Sequence, residues 1–173
     1  DTDPNGKFFL ERYIAAHAIM ISFEGIPAIY FNSLFGKSND EAKYVITGNN
    51  RDVNRYRWKL NNINKKLKNN KTKQSIVYKN ITKLLNIRRK QKAFHPNASR
   101  LNLKFGPKIY GFKRVSIDNK QSILCITNLS SKIQKAKLNK AYHSWCNLIG
   151  PKIEMKNKFL ILKPFETIWL SNK

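Results

Sequence analysis

Over residues 8–24, FFLERYIAAHAIMISFE, the pattern is helical: Leu10, Tyr13, Ile14, His17, Ile21 and Glu24 share one face, and Ala15, Ala16 and Ala18 permit close packing. This predicts a helix with a broad buried face, stopped by Gly25 just beyond its C-terminus. The next run, IPAIYF (26–31), is apolar on both alternations, the pattern of a strand covered on both faces, as in a parallel sheet flanked by helices. No other run before residue 100 has that character. The rest of the sheet is therefore expected upstream of Asp1, and the chain reads as the tail of a longer protein. Residues 71–94, KTKQSIVYKNITKLLNIRRKQKAF, predict a second amphipathic helix with Ile76, Val77, Ile81, Leu84, Leu85 and Arg88 on one face. Its basic end complements the helix dipole, and Pro96 closes it.

Between these elements residues 32–58 show almost no periodicity. The stretch opens with NSLFGKSND and closes on TGNNRDVNRYRW, which places Arg51, Arg55 and Arg57 close together. From residue 101 the period changes: KIYGFKRVSI, QSILCITNLS, KIQKAKL, HSWCNLI, KFLILKP and ETIWLS are short, β-branched or aromatic, and separated by turn signals such as IDNK and IGPK. That spacing predicts an antiparallel sandwich or barrel, with Lys135, Lys137 and Lys140 on its solvent face. The fold class read from pattern is α/β followed by all-β. The two expected domains are residues 1–97 and 98–173.

Composition narrows the function classes. The 173 residues hold 34 Lys+Arg against 10 Asp+Glu, a net charge of +24, with 41% hydrophobic and 12% aromatic content. The apolar content is that of a folding protein and excludes a disordered basic tail. Such charge invites a nucleic-acid reading. Against it, the densest segment, KLNNINKKLKNNKTK (59–73), has no aromatic residue for base stacking and no recognisable motif. Lys, Asn and Ile are high throughout, as an AT-biased coding sequence produces, so no nucleic-acid partner is expected. Cys125 and Cys146 sit in apolar stretches and read as buried free thiols rather than a disulfide framework or a zinc site. No basic leader followed by a hydrophobic core opens the chain, and no run approaches the roughly 18 apolar residues of a membrane span. A cytoplasmic location, with no membrane partner, is the expectation.

Reaction chemistry is hard to find. Hydrolysis or transfer on sugars needs two carboxylates about 5 to 9 Å apart, and none of the carboxylates from Asp1 to Glu166 pairs convincingly at a strand end. His17, His95 and His143 are too scattered for a metal site or a nucleophile with its base, and His17 on an apolar face reads as a satisfied core histidine. The loop is the exception. In α/β barrels the loops after the strands build the active site, and Arg51 and Arg55 follow GNN, whose residues tolerate left-handed backbone. A guanidinium there can hold a carboxylate or sugar hydroxyls, or pair structurally with Asp52 or Asp40; the residues alone leave both open.

The ordered series AAHAIMISFEGIPAIYFNSLFGKSND, TGNNRDVNR and LLNIRRKQKAFHPN resembles the C-terminal part of the sucrose phosphorylase subfamily of glycoside hydrolase family 13, the α-amylase clan. The resemblance covers most of residues 8–97 and faintly the β-rich tail. It implies that residues 8–24 match the seventh helix of a (β/α)8 TIM barrel, GIPAIYF its eighth strand and residues 72–94 its last helix. Residues 101–173 then match a small antiparallel β-sandwich. It also implies a retaining double displacement in which an Asp attacks the anomeric carbon, a Glu protonates the leaving group and phosphate takes the glucosyl unit. Those groups are expected in segments preceding this one, so no catalytic residue is expected here. By position, the family's donor-subsite arginine falls on Arg51; Arg55 stands behind it as loop support with a share in substrate binding, and Asn39 and Asp40 of KSND shape the loop. Asn50 stands where the family often has Gly.

The function implied is transfer of glucose from sucrose, sucrose 6-phosphate or glucosylglycerate to phosphate, giving α-glucose 1-phosphate. AFHPN leans towards the last two donors. No cofactor or metal is implied, with inorganic phosphate as co-substrate. The partners are the α-glucoside and phosphate, with a second copy in a homodimer as the one macromolecular candidate. A hydrolase of the same clan, and a non-catalytic basic module binding carbohydrate or nucleic acid, are the alternatives.

Overall fold

The computed structural model describes residues 6–173, so Asp1 and Asp3 lie outside the described residues. In chain order the helices are α1 (Phe9–Ser22), the short α2 (Phe31–Leu34) and α3 (Glu41–Thr47), then α4 (Leu60–Lys68) and the long α5 (Lys73–Arg89). Helices α1 and α5 pack side by side. The alanines of α1 let the two backbones approach, so its innermost stripe runs through Ala15, Ala18 and Ile21, with Leu10, Tyr13 and Ile14 flanking it. Val77, Ile81 and Leu84 answer from α5, which starts where the Thr72 hydroxyl accepts the Ser75 amide at 3.2 Å. The helix ends well before Pro96, and a 3-10 turn (Lys92–Phe94) covers the remainder. Helix α4 falls in the Lys/Asn-rich segment; Ile63 is its buried anchor.

The strand expected at IPAIYF is not formed. Residues 26–30 take no regular structure and have no ladder partner among the described residues, and the segment lies at the surface, with Ile26 85% and Phe31 58% exposed. Extended backbone becomes a strand only when neighbours take up its N–H and C=O groups, and no described segment lies alongside. Phe31 already begins α2.

The second half forms two antiparallel sheets. The larger, in the order β1-β2-β3-β8-β5, comprises β1 (Ser99–Lys104), β2 (Ile109–Val115), β3 (Ser122–Asn128), β8 (Thr167–Ser171) and β5 (Cys146–Asn147). The smaller, in the order β4-β7-β6, comprises β4 (Gln134–Lys137), β7 (Phe159–Leu162) and β6 (Met155–Lys156). Register explains the core. Phe112, Cys125 and Trp169 stand abreast on β2, β3 and β8 and, with Ile123, meet Ala18, Ile21, Val77 and Leu84 of the helices. On the opposite face Leu124, Ile126, Ile168 and Leu170 meet Ala136, Leu138, Leu160 and Leu162 of the smaller sheet. The large sheet is thus sandwiched between the helix pair and the small sheet, and one of its two cores draws on both halves of the chain. Lys135 and Lys137 alternate outward around buried Ala136, and Lys140 is exposed too. Cys125 is buried, and desolvation pushes its thiol pKa far up; Cys146, expected buried, is exposed because β5 is a two-residue edge strand.

Two arginines bind the halves together. Arg114 of β2, fully buried, donates to the carbonyls of Ser22 at 2.8 Å, His95 at 2.9 Å, Ala98 at 3.1 Å and Ser99 at 3.3 Å. Arg88 of α5 donates to Ile21, to Phe23 at 2.9 Å and to Gly25 at 2.6 Å. Together they satisfy carbonyls that the C-terminus of α1 leaves open and place positive charge at the negative end of its dipole. Sequence pattern assigned Arg88 to its own helix end; the structure gives it to the end of α1. Burial lowers the pKa of each guanidinium, and for Arg88 the charge of Arg114 adds to the effect. Arg100 completes the junction through Glu24 at 2.9 Å and the Phe23 ring at 4.9 Å.

Candidate functional site: the loop of residues 32–58

The two ends of the loop meet at one residue. Asn32 is 6% exposed, and its amide donates to the carbonyls of Asn54 at 2.8 Å and Tyr56 at 3.1 Å while its oxygen accepts the Trp58 indole N–H at 2.8 Å. A buried amide whose donor and acceptor are both used fixes both ends of the loop against each other. Above it Phe35 stacks on Tyr78 of α5 at 5.6 Å and meets Trp58 edge-on at 6.0 Å. Gly36 follows with φ 60, and a Cβ there would meet Val77 Cγ2 at 2.9 Å, so the position excludes any side chain. The Tyr13 hydroxyl donates to the Ser33 carbonyl at 2.7 Å, tying the loop to α1.

The expected site residues take distinct places. Asp40 caps α3, accepting the Lys43 amide at 3.2 Å, and its own amide donates to the Val53 carbonyl at 2.7 Å, so it joins the two arms of the loop. Asn39 is exposed beside it. Gly48, left-handed at φ 63, ends α3, and the Asn49 side chain accepts the Arg51 amide at 3.0 Å to start a 3-10 turn over Asn50–Val53. Arg51 sits on that turn and Arg55 just beyond it, both side chains exposed. Asp52 pairs with Lys43 at 3.2 Å, and the Thr47 hydroxyl, then Lys43, lower its pKa below the ordinary carboxylate value; Arg55 contributes only through space. With Asp52 held by Lys43 and Asp40 used as a cap, neither carboxylate forms an ion pair with Arg51 or Arg55 among the described residues. Their donors face solvent, free for a carboxylate or for sugar hydroxyls.

Other chemistry is sparse. No cluster of three His, Cys, Asp or Glu side chains among the described residues can hold a metal ion. His17 Nδ1 lies 2.8 Å from the Tyr13 carbonyl and its ring stacks on Tyr13 at 4.4 Å, a structural role. A groove of about 550 Å³ lined by Ile26, Leu85, Arg88, Phe94 and His95 lies at the C-terminal end of α5, whereas the loop packs on the N-terminal half of that helix. Asn32 and Trp58 organise the loop, and periodicity gives no hint of either. The one signal was a polar residue directly after six apolar positions.

Comparison with known proteins places this architecture. No family model matches the chain. A glucosylglycerate phosphorylase of Escherichia coli (strain K12) is 29% identical over 162 residues, 92% of this chain and 28% of that protein. One from Spirochaeta thermophila is 30% identical over 119 residues, 69% of this chain and 20% of that protein, and one from Allomeiothermus silvanus is 26% identical over 162 residues, 93% and 27%. Among solved structures, a trehalulose synthase variant in complex with Tris superposes with a TM-score of 0.75 over 98% of this chain and 40% of that one, at 16% identity. The trehalose-6-phosphate hydrolase of Bacillus licheniformis gives 0.71 over 96% and 39%, at 14% identity. The fold is shared with a region of these solved enzymes. The chain is thus similar in sequence to part of glucosylglycerate phosphorylases and in fold to part of glycoside hydrolase family 13 enzymes, and it spans less than a third of the curated relatives it matches.

Proposed function

We propose that this chain serves as the C-terminal part of a retaining glycoside phosphorylase that transfers glucose from an α-glucoside to phosphate, with glucosylglycerate as the donor. In this reading residues 26–31 close a (β/α)8 barrel whose other strands belong to the rest of the polypeptide, and the catalytic Asp and Glu come from there. Arg51 holds the glucosyl unit, Arg55 backs it, and Asn39 and Asp40 set the path of the loop. The protein works in the cytoplasm with phosphate as co-substrate and without metal or organic cofactor, as a homodimer. The observation that carries the reading is the run of glucosylglycerate phosphorylases, each 26–30% identical to the chain. The two solvent-facing guanidiniums on a loop anchored at both ends support the binding role.

The test is turnover of the full-length protein. Glucosylglycerate and phosphate should give α-glucose 1-phosphate, and Arg51→Ala should lower kcat/KM by about a hundredfold or more with unchanged circular dichroism, the scale of losing a positioned charge-assisted contact. Release of free glucose without glucose 1-phosphate would assign the protein to the hydrolases of the clan. Unchanged kinetics in Arg51→Ala would remove that residue from the site.

A further inference from the structure

Two ammonium groups converge on one serine at the start of the loop. Lys73 Nζ donates to Ser38 Oγ at 3.1 Å, and Lys37 Nζ donates to the Ser38 carbonyl at 3.3 Å. Lys73 lies over the Phe9 ring at 3.5 Å and Lys37 over the Tyr56 ring at 4.6 Å, so aromatic faces hold both stems in place. This is where the first residues of α1 and α5 meet, since Phe9 opens one helix and Lys73 the other. Like charges placed this way repel, and the first turn of a helix is where a cation is least favoured. The usual remedy is a carboxylate, and none among the described residues is used here. The ion pairs among the described residues are Lys43–Asp52, Lys92–Asp118, Arg100–Glu24 and Lys156–Glu154. Asp40, two residues along, is turned to its cap on α3. Burial first, and then the charge of Lys37, lower the pKa of Lys73.

We infer that Lys37, Lys73 and Ser38 form a subsite for a phosphate group, free or carried as the phosphomonoester of a small sugar. A doubly charged oxyanion accepts from both ammoniums and from the serine hydroxyl, relieves their repulsion, and suits lysine as a point-charge phosphate binder. The site goes beyond the proposed reaction and does not rest on it, because it is read by binding alone.

The experiment is calorimetric titration of the full-length protein with inorganic phosphate and, separately, with glucose 6-phosphate, at an ionic strength held constant with sodium chloride. At least one of the two ligands should bind, and the double variant Lys37→Gln/Lys73→Gln should lose about tenfold or more in affinity for it, the worth of one charge-assisted contact. The ligand that loses affinity identifies the source. Lys73→Arg should retain binding, and Lys65→Gln/Lys66→Gln, an equal charge change on α4, should leave it intact. Lys37→Gln alone should show the partial loss should the double variant fold poorly. Equal affinity of wild type and double variant for both ligands overturns the inference, as does binding that vanishes in matched salt. Absent turnover with intact, variant-sensitive binding would count against the phosphorylase reading and leave the subsite standing.

Discussion

Strand β3 and the segment 26–31 share one sequence pattern and end in opposite environments. SILCITN is apolar on both alternations and is buried on both faces, Ile123 and Cys125 against the helices, Leu124 and Ile126 against the small sheet. IPAIYF has the same pattern, yet Ile26 and Phe31 face solvent and no strand pairs with it among the described residues. The pattern therefore reports what a segment requires, while its neighbours decide whether the requirement is met. β3 finds β2 on one edge and β8 on the other within this chain; the earlier segment finds no strand partner among the described residues.

The sharpest way to break that comparison is a charge on the exposed segment. Ile26→Lys in the full-length protein should destabilise by more than about 4 kcal/mol, because a stave of a closed barrel buries that side chain. A loss below about 0.5 kcal/mol in chemical denaturation would mean the segment stays at the surface in the whole protein, and the barrel reading would fail. Next in size is Arg114→Met, which leaves four buried carbonyl contacts unmade and should cost about 3 kcal/mol in the same measurement. An unchanged midpoint would show that water replaces the guanidinium.

Asn32→Ala should cost about 2 kcal/mol and, more tellingly, speed hydrogen exchange around residues 54–58 while β3 stays protected. Uniform acceleration across the molecule would deny the loop its independence. Asp118 gives the smallest effect. Its carboxylate accepts from Ser116 at 2.6 Å and from the Lys120 amide at 3.1 Å, which hold its pKa at about 2. A depressed carboxylate stabilises above its ordinary pKa, and that contribution is lost as pH falls through about 2. Asp118→Asn should therefore flatten the acid limb of the unfolding midpoint between about pH 4 and 2, with parallel curves as the contrary result.

The regular parts were legible where local pattern and final neighbours agree. Helix α1, helix α5 and the cores of β2, β3 and β8 follow from apolar spacing, because each buries the face its sequence offers. Edge strand β1, SRLNLK, is almost wholly exposed and offers only Leu101 and Leu103 on one face, too short a pattern to read. Helix α4 hides among lysines and asparagines because one buried isoleucine anchors it. The site was legible only as residue types at positions. Arg51, Arg55 and Asp40 could be named in advance, but the Asn32 clasp and the partition of Asp52 to Lys43 depend on side chains more than twenty residues apart, or across a turn, that no periodicity relates. The pairing of Lys37 with Lys73 is hidden for the same reason.

The junction at the end of α1 has a further consequence. Within residues 21–25, Arg88 and Arg114 hydrogen-bond to main-chain oxygens, and Glu24 reaches Arg114 only through space. An Arg-to-Lys exchange at 88 or 114 cannot be absorbed, since one ammonium cannot span acceptors that a planar fork reaches from several sides. In a chain so rich in lysine, these two positions should resist that exchange most strongly.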